Sequence, residues 1–241
     1  GRGSFERTVT VPEGWAASQI GRRLAEEDWI TTTGAWMELV ARPPADFFDG
    51  PTPPGAEGYL FPETYRFDVG SDARTIMRRM IATFHEVWNE LEPNRRAEPA
   101  REMTMHEIVT LASLIQREAR LAEEMPCIAS VYYNRLRLGM RLQCDATVYY
   151  ALGDDAWSRP LTYADLEVDH PYNTYRHAGL PPGPIANPGR EAIAAALRPA
   201  ETEDLYYVYI GEGRHAFSRT YRDHQAAVRR AREARRERGE E

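Results

Sequence analysis

The sequence contains no lysine: all 30 basic residues are arginine, and 37 acidic residues outnumber them, giving a net charge of −7 over 241 residues. A nucleic-acid-binding surface needs a clustered basic excess to displace phosphate counterions, so this balance argues against a nucleic-acid partner. Cysteine is nearly absent. Cys127 and Cys144 fit no zinc spacing, and they leave open either one disulfide or two buried thiols. No run of about 18 apolar residues occurs, so no segment reads as a membrane-spanning helix. The opening Gly1-Arg2-Gly3-Ser4-Phe5 carries no signal-peptide core.

Further absences narrow the chemistry. There is no His-Glu-x-x-His and no Cys-x-x-Cys, and the six histidines are scattered, so neither a catalytic metal nor any cofactor is expected. Gly179-Leu-Pro-Pro-Gly183 has glycines but too much proline to offer a phosphate consecutive N–H donors, because proline has none. A serine nucleophile elbow, Gly-x-Ser-x-Gly, does not occur.

What the chain does have is material for a core, at 42% hydrophobic and 28% charged residues. Residues 7–11 read as a strand, and helices are expected over about 16–27 and 34–41. The run Asp49-Gly-Pro-Thr-Pro-Pro-Gly-Ala-Glu-Gly58 is dense in turn formers and marks a linker or a long ordered loop. It divides a module over 1–50 from a larger domain over 51–241. Helices are expected over 71–91, through the stretch ending at Glu118, over 124–136, from about Asp145, and over 191–197. Residues 171–188 form a long loop of the kind that often carries function. Leu205–Ile210 reads as a strand, with His215–Phe217 as its hairpin partner. The tail from Tyr221 to Glu241 reads as a charged, solvated helix. Many helices and few scattered strands predict an α+β fold, a helix-rich domain with small β-sheets.

One acid stands out. Glu118 closes Leu111-Ala-Ser-Leu-Ile-Gln-Arg-Glu118, on a helix whose apolar residues Ile108, Leu111, Ala112, Ile115, Ala119 and Ala122 recur at amphipathic spacing, with Thr104 and Glu107 as a capping box. At about 100° per residue, Glu118 lies at the margin of the apolar stripe and Arg117 points roughly the opposite way. A carboxyl held there is disposed to keep its proton near neutral pH; the alternative is a glutamate that only marks the solvent edge. Three segments add hydrogen-bonding groups beside aromatic faces, the chemistry sugar rings require. They are Tyr59-Leu-Phe-Pro-Glu-Thr-Tyr65, Leu142-Gln-Cys-Asp-Ala-Thr147 and Tyr172-Asn-Thr-Tyr175. Each also has a structural reading, in strands and turns.

Five motifs stand in order. They are Glu57-Gly-Tyr-Leu-Phe-Pro-Glu-Thr-Tyr65, the Glu118 stretch, Ala129-Ser-Val-Tyr-Tyr-Asn-Arg-Leu-Arg-Leu-Gly-Met-Arg-Leu-Gln143, Tyr172-Asn-Thr-Tyr175 and Gly179-Leu-Pro-Pro-Gly-Pro-Ile-Ala-Asn-Pro-Gly189. Through them, about residues 7–228 resemble the YceG-like family, the MltG-type endolytic murein transglycosylases. The resemblance implies a catalytic domain preceded by part of a LysM-like module, a membrane-anchoring helix upstream, and an extracytoplasmic location at the bacterial membrane. It implies peptidoglycan glycan strands as substrate and peptidoglycan synthases as partners. Glu118 matches the position of the family's catalytic acid. Gln116 departs from the motif's earlier glutamate, Cys144 from a small hydroxyl residue and Glu63 from the commoner aspartate. Tyr59, Glu63, Gln143, Asp145, Thr147, Tyr172, Asn173 and Tyr175 are the expected glycan-binding residues, with Asp145 and Glu63 equally readable as a helix cap or a loop-ordering carboxylate. Two competing readings remain: a muramidase-type hydrolase with a second carboxylate, and a glycan-binding or divisome scaffold without catalysis.

Overall fold

A computed structural model describes residues 5–94 and 98–239. The chain opens with β1 (Glu6–Thr10), α1 (Ala17–Glu26) and α2 (Thr33–Ala41), which match the predicted elements closely. Gln19 supplies the start of α1 by accepting from the backbone N–H of Ala16 at 2.9 Å. Trp36 of α2 is fully buried against α1 and donates to the Ala17 carbonyl at 2.9 Å.

The strand β2 (Thr64–Asp68) is unforeseen. It pairs antiparallel with β1, Val9 opposite Tyr65 and Arg7 opposite Phe67. Tyr65 and Phe67 turn inward and are buried, so the period-2 signal is present over a very short run. Because β1 precedes the Pro/Gly-rich linker and β2 follows it, the two sides of that linker share one sheet and one continuous core, from Val9 and Ile20 to Phe84 and Ile193.

Beyond β2 come α3 (Ala73–Leu91), a single turn α4 (Glu98–Arg101), α5 (Met105–Glu118), α6 (Met125–Arg137), α7 (Asp145–Leu152), a second single turn α8 (Tyr163–Leu166) and α9 (Arg190–Leu197). The predicted capping box of α5 forms: the Glu107 carboxylate accepts from Thr104 N–H at 2.7 Å, and Thr104 Oγ1 accepts from Glu107 N–H at 3.3 Å. Helix α5 packs against α6, α7 and α9, which buries Ile108 through Ile115. The chain ends in the hairpin β3 (Tyr206–Gly211) and β4 (Arg214–Ser218), with α10 (Tyr221–Arg238) laid over it. The last two residues of the predicted tail helix, Glu240 and Glu241, lie outside the described residues. Both cysteines are free thiols, Cys144 buried and Cys127 partly so. Among the described residues no helix is long and apolar enough to cross a membrane.

Asn187 ties the N-terminal elements to the rest. It is fully buried; its carboxamide oxygen accepts from Gly58 N–H and Leu60 N–H, both at 2.9 Å. Its amide nitrogen donates to the Trp15 carbonyl and to Glu57 Oε1, again at 2.9 Å. Gly58 has φ +87°, and a Cβ there would meet Pro184 at 2.4 Å, so this crossing of two loops requires glycine.

Glu57 completes the crossing by accepting from Ala17 N–H at the first turn of α1, at 3.0 Å. Burial raises its pKa from 4.5 to about 7, outweighing the hydrogen bonds from Ala17, Gly58 and Asn187 that favour the charged form. The fold therefore retains a proton that the unfolded chain has lost, and stability falls as pH rises from about 4.5 to about 7. Replacing Glu57 with glutamine is expected to remove this slope, worth up to about 3 kcal/mol. Melting curves of both proteins between pH 4 and pH 8 check it: parallel curves would show that Glu57 titrates normally.

Candidate active site

Glu118 is the last residue of α5, half-buried where the helix gives way to the extended backbone of Ala119. It lines a pocket of about 280 Å3 together with Gln143, Asp145, Tyr175, Tyr207 and His224. Four segments distant in sequence thus meet: the end of α5, the turn into α7, the 171–176 loop and the C-terminal hairpin with α10.

Three neutral side chains stand around the carboxyl. Cys144 Sγ donates to Glu118 Oε1 at 3.1 Å. The Tyr207 hydroxyl lies beside the carboxyl at the pocket wall and shares a hydrogen bond with the fully buried Tyr132 hydroxyl at 2.9 Å. Burial pushes the Cys144 thiol and both tyrosine hydroxyls well above their ordinary values, so all three remain protonated donors.

Burial likewise raises the pKa of Glu118, and the charge of Asp145 adds to the effect. The hydrogen bond from Cys144 and the proximity of the Tyr207 hydroxyl and of His215 act in the opposite sense without overcoming it. A thiol is a weak donor, so Cys144 holds the carboxyl in place while favouring its charged form less than a hydroxyl would. The result is a fixed carboxyl that gives up its proton reluctantly.

The pocket rim is built by the turn before α7. Gln143 takes the left-handed conformation, φ +52°, which a non-glycine residue adopts only when its surroundings hold it there. The Gln143 N–H donates to the Thr174 carbonyl at 3.2 Å, and Cys144 N–H donates to Thr174 Oγ1 at 3.0 Å. Arg135 grips the same turn from α6, donating through Nη1 to the carbonyls of Arg141 and Leu142 and through Nε to that of Leu205. Asp145 accepts from the Tyr175 hydroxyl at 2.5 Å, linking the turn to the loop.

The expected glycan-binding residues therefore separate into groups. Gln143, Asp145 and Tyr175 line the Glu118 pocket. Thr147 and Asn173 lie fully buried beneath its rim. Thr147 Oγ1 donates to the Cys144 carbonyl at 2.7 Å and shares a hydrogen bond with Thr174; the Asn173 amide donates to the Leu166 and Val168 carbonyls at 2.9 and 2.8 Å. Their polar groups order the loop and do not face the pocket.

Tyr172 lines a different cavity, of about 400 Å3, with Glu57, Arg117, Tyr150 and Trp157. Arg117 thus turns away from the Glu118 pocket as its helical phase requires, stacking on Trp157 at 3.9 Å and donating to the Gly14 carbonyl at 3.0 Å. Two of the expected residues line neither cavity. Tyr59 is a core residue packed edge-on to Phe84 and Phe48, with its hydroxyl bonded to His106 at 3.0 Å. Glu63 is exposed beside β2, where it accepts from Thr64 N–H at 2.8 Å. Gln116 accepts from Gly189 N–H at 2.9 Å and so serves the start of α9, a task that an amide oxygen performs without a second charge near Glu118.

Tyr207, Tyr132, Arg135 and His224 were not singled out from sequence, because each sits in an ordinary strand or helix pattern with nothing linking it to residue 118. The hairpin that carries Tyr207 is itself pinned by a buried pair, His215 Nδ1 and Glu124 Oε2 at 2.7 Å. Among the described residues no group of three or more histidine, cysteine or acidic side chains is placed to hold a metal ion.

Comparison with known proteins places this geometry in context. Residues 2–230 match the YceG-like family. A Bacillus subtilis (strain 168) protein named endolytic murein transglycosylase is 33% identical over 233 residues, covering 91% of this chain and 63% of that protein. A Streptococcus pneumoniae (D39) protein of the same name is 28% identical, covering 92% of this chain and 44% of its own length. This chain thus spans less than two thirds of each. The crystal structure of a yceG-like protein from Listeria monocytogenes aligns with a TM-score of 0.77 at 34% identity, over 91% of this chain and 75% of that one.

Proposed function

The chain belongs to the YceG-like family, and from that premise we propose that it is the catalytic part of an endolytic murein transglycosylase with Glu118 as its single acid and base. The observation that carries this reading is a carboxyl of raised proton affinity, held by a neutral thiol donor at the wall of an open pocket.

The reaction divides into two proton transfers. Protonated Glu118 gives its hydrogen to the oxygen that joins N-acetylmuramic acid to N-acetylglucosamine, and the bond from the muramyl anomeric carbon to that oxygen breaks. The muramyl C6 hydroxyl then attacks the same anomeric carbon, and its proton returns to the Glu118 carboxylate, leaving a 1,6-anhydro end. An internal nucleophile has a very high effective concentration, so no second carboxylate is needed to activate water. Gln143 and Tyr175 border the pocket where the reacting sugars would lie, and the Cys144 thiol holds Glu118 in place beside them.

In the intact protein, an N-terminal membrane helix and the remainder of a LysM-like module precede this region, to which residues 1–50 belong, and residues 51–241 form the catalytic domain. The site then faces the extracytoplasmic side of the bacterial membrane, where peptidoglycan synthases deliver nascent strands.

Asp145 shares the pocket and supports one rival reading, hydrolysis with a second carboxylate. Mass spectrometry of products from uncrosslinked glycan separates the two, because a hydrolytic product is heavier by one water than the anhydro sugar. Binding to murein sacculi with no soluble product would instead identify a glycan-binding scaffold.

A further inference from the structure

The Glu118 pocket does not end at its rim. His224 of α10 lines it and also lines a second groove of about 290 Å3, whose remaining wall is Tyr221, Gln225, Val228, Arg229 and Arg232. These residues recur at the spacing of one helical face, so the groove follows α10 over about three turns, two of them beyond the shared His224. From the structure we infer that this groove binds the carboxylates of an acidic peptide attached to the glycan, with Arg229 and Arg232 as the residues that hold them.

Charge is the first argument. Helix α10 carries seven arginines against three acids, in a chain whose net charge is −7. Arg135, the arginine that lines the Glu118 pocket, already holds backbone carbonyls, and farther off Arg117 is stacked on Trp157 and Arg159 pairs with Asp165. Arg229 and Arg232 are exposed and, among the described residues, enter no ion pair. Two unpaired guanidinium groups on one face offer forked donors that match carboxylates.

Reach is the second argument. From His224, which borders both pocket and groove, to Arg232 the helix rises roughly 12 Å, which an extended peptide of four residues, spanning roughly 13 Å, covers. Muramic acid carries its peptide on the lactyl group, so a muramyl ring beside Glu118 can lay that peptide along α10. The inference rests on murein as the substrate, and it adds a preference for strands that still bear peptides.

Binding, measured apart from turnover, tests it. With Glu118→Gln as the parent, a fluorescent soluble disaccharide-peptide with free carboxylates is compared with the same molecule after amidation. The double substitution R229Q/R232Q is expected to weaken binding of the acidic form about five- to tenfold and to leave the amidated form unaffected, while R229K/R232K retains part of the preference. Three results would overturn the inference: unchanged binding of the acidic form by R229Q/R232Q, equal loss of both forms, or equal binding of both forms by the parent combined with displacement by inorganic pyrophosphate. Failure of the activity is read separately, from the products of the chain with Glu118 in place.

Discussion

Glutamine at position 118 is expected to reduce release of anhydro-muropeptides by about a thousandfold, the usual contribution of a positioned general acid. The substitution preserves shape and can still accept from Cys144, so strand binding and the melting temperature should change little. The wild-type rate should also fall as pH rises through the Glu118 pKa, which burial places above the ordinary carboxylate range, because only the protonated form can donate. The measurement is product release from uncrosslinked strands by both proteins across that pH range. If the glutamine form kept a tenth or more of the rate, another group would be the acid.

The second large effect is on folding. Asn187→Ala should destabilise the protein by about 3–5 kcal/mol, because it leaves the buried N–H groups of Gly58 and Leu60 without an acceptor and removes the donor to Trp15 and Glu57. For a chain of this length that corresponds to a fall in melting temperature of roughly 10 °C. Loss of packing alone cannot account for such a drop, since the side chain is small and its contacts are polar. Thermal or urea unfolding monitored by circular dichroism tests it, and a shift of only a degree or two would mean that water replaces the amide at low cost.

Both predictions turn on residues that sequence revealed unequally. Glu118 was legible because a 3.6-residue period places a side chain on a face, and the capping box at Thr104 fixes where that period begins. The longer helices and the β3–β4 hairpin were legible for similar reasons, while the single turns α4 and α8 are too short to show a period. β2 was missed because its alternation rests on only two inward residues, Tyr65 and Phe67, inside a segment read as hydrogen-bonding loop.

Aromatic and amide side chains were the main source of misplacement at the site. Tyr59 and Asn173 look like sugar contacts in sequence, yet burial decides that one fills the core and the other secures a loop. No local pattern distinguishes these roles. Tyr207 shows the converse: its place beside Glu118 comes from the hairpin docking on α6, a contact between elements far apart in the chain. Asn187 was visible within a long motif, but its task became clear only with Gly58 and Leu60 beside it.

The position of Glu118 at the very end of α5 has one more effect. The aligned peptide dipoles of a helix leave about half a negative charge at its C-terminus, which opposes an anion there by about 0.3–1 kcal/mol. In the reaction proposed above, the carboxylate left once the leaving oxygen is protonated would therefore stand in an unfavourable field. On that proposal the repulsion would end when the C6 hydroxyl hands over its hydrogen, so the backbone itself would help restore the acid for the next bond.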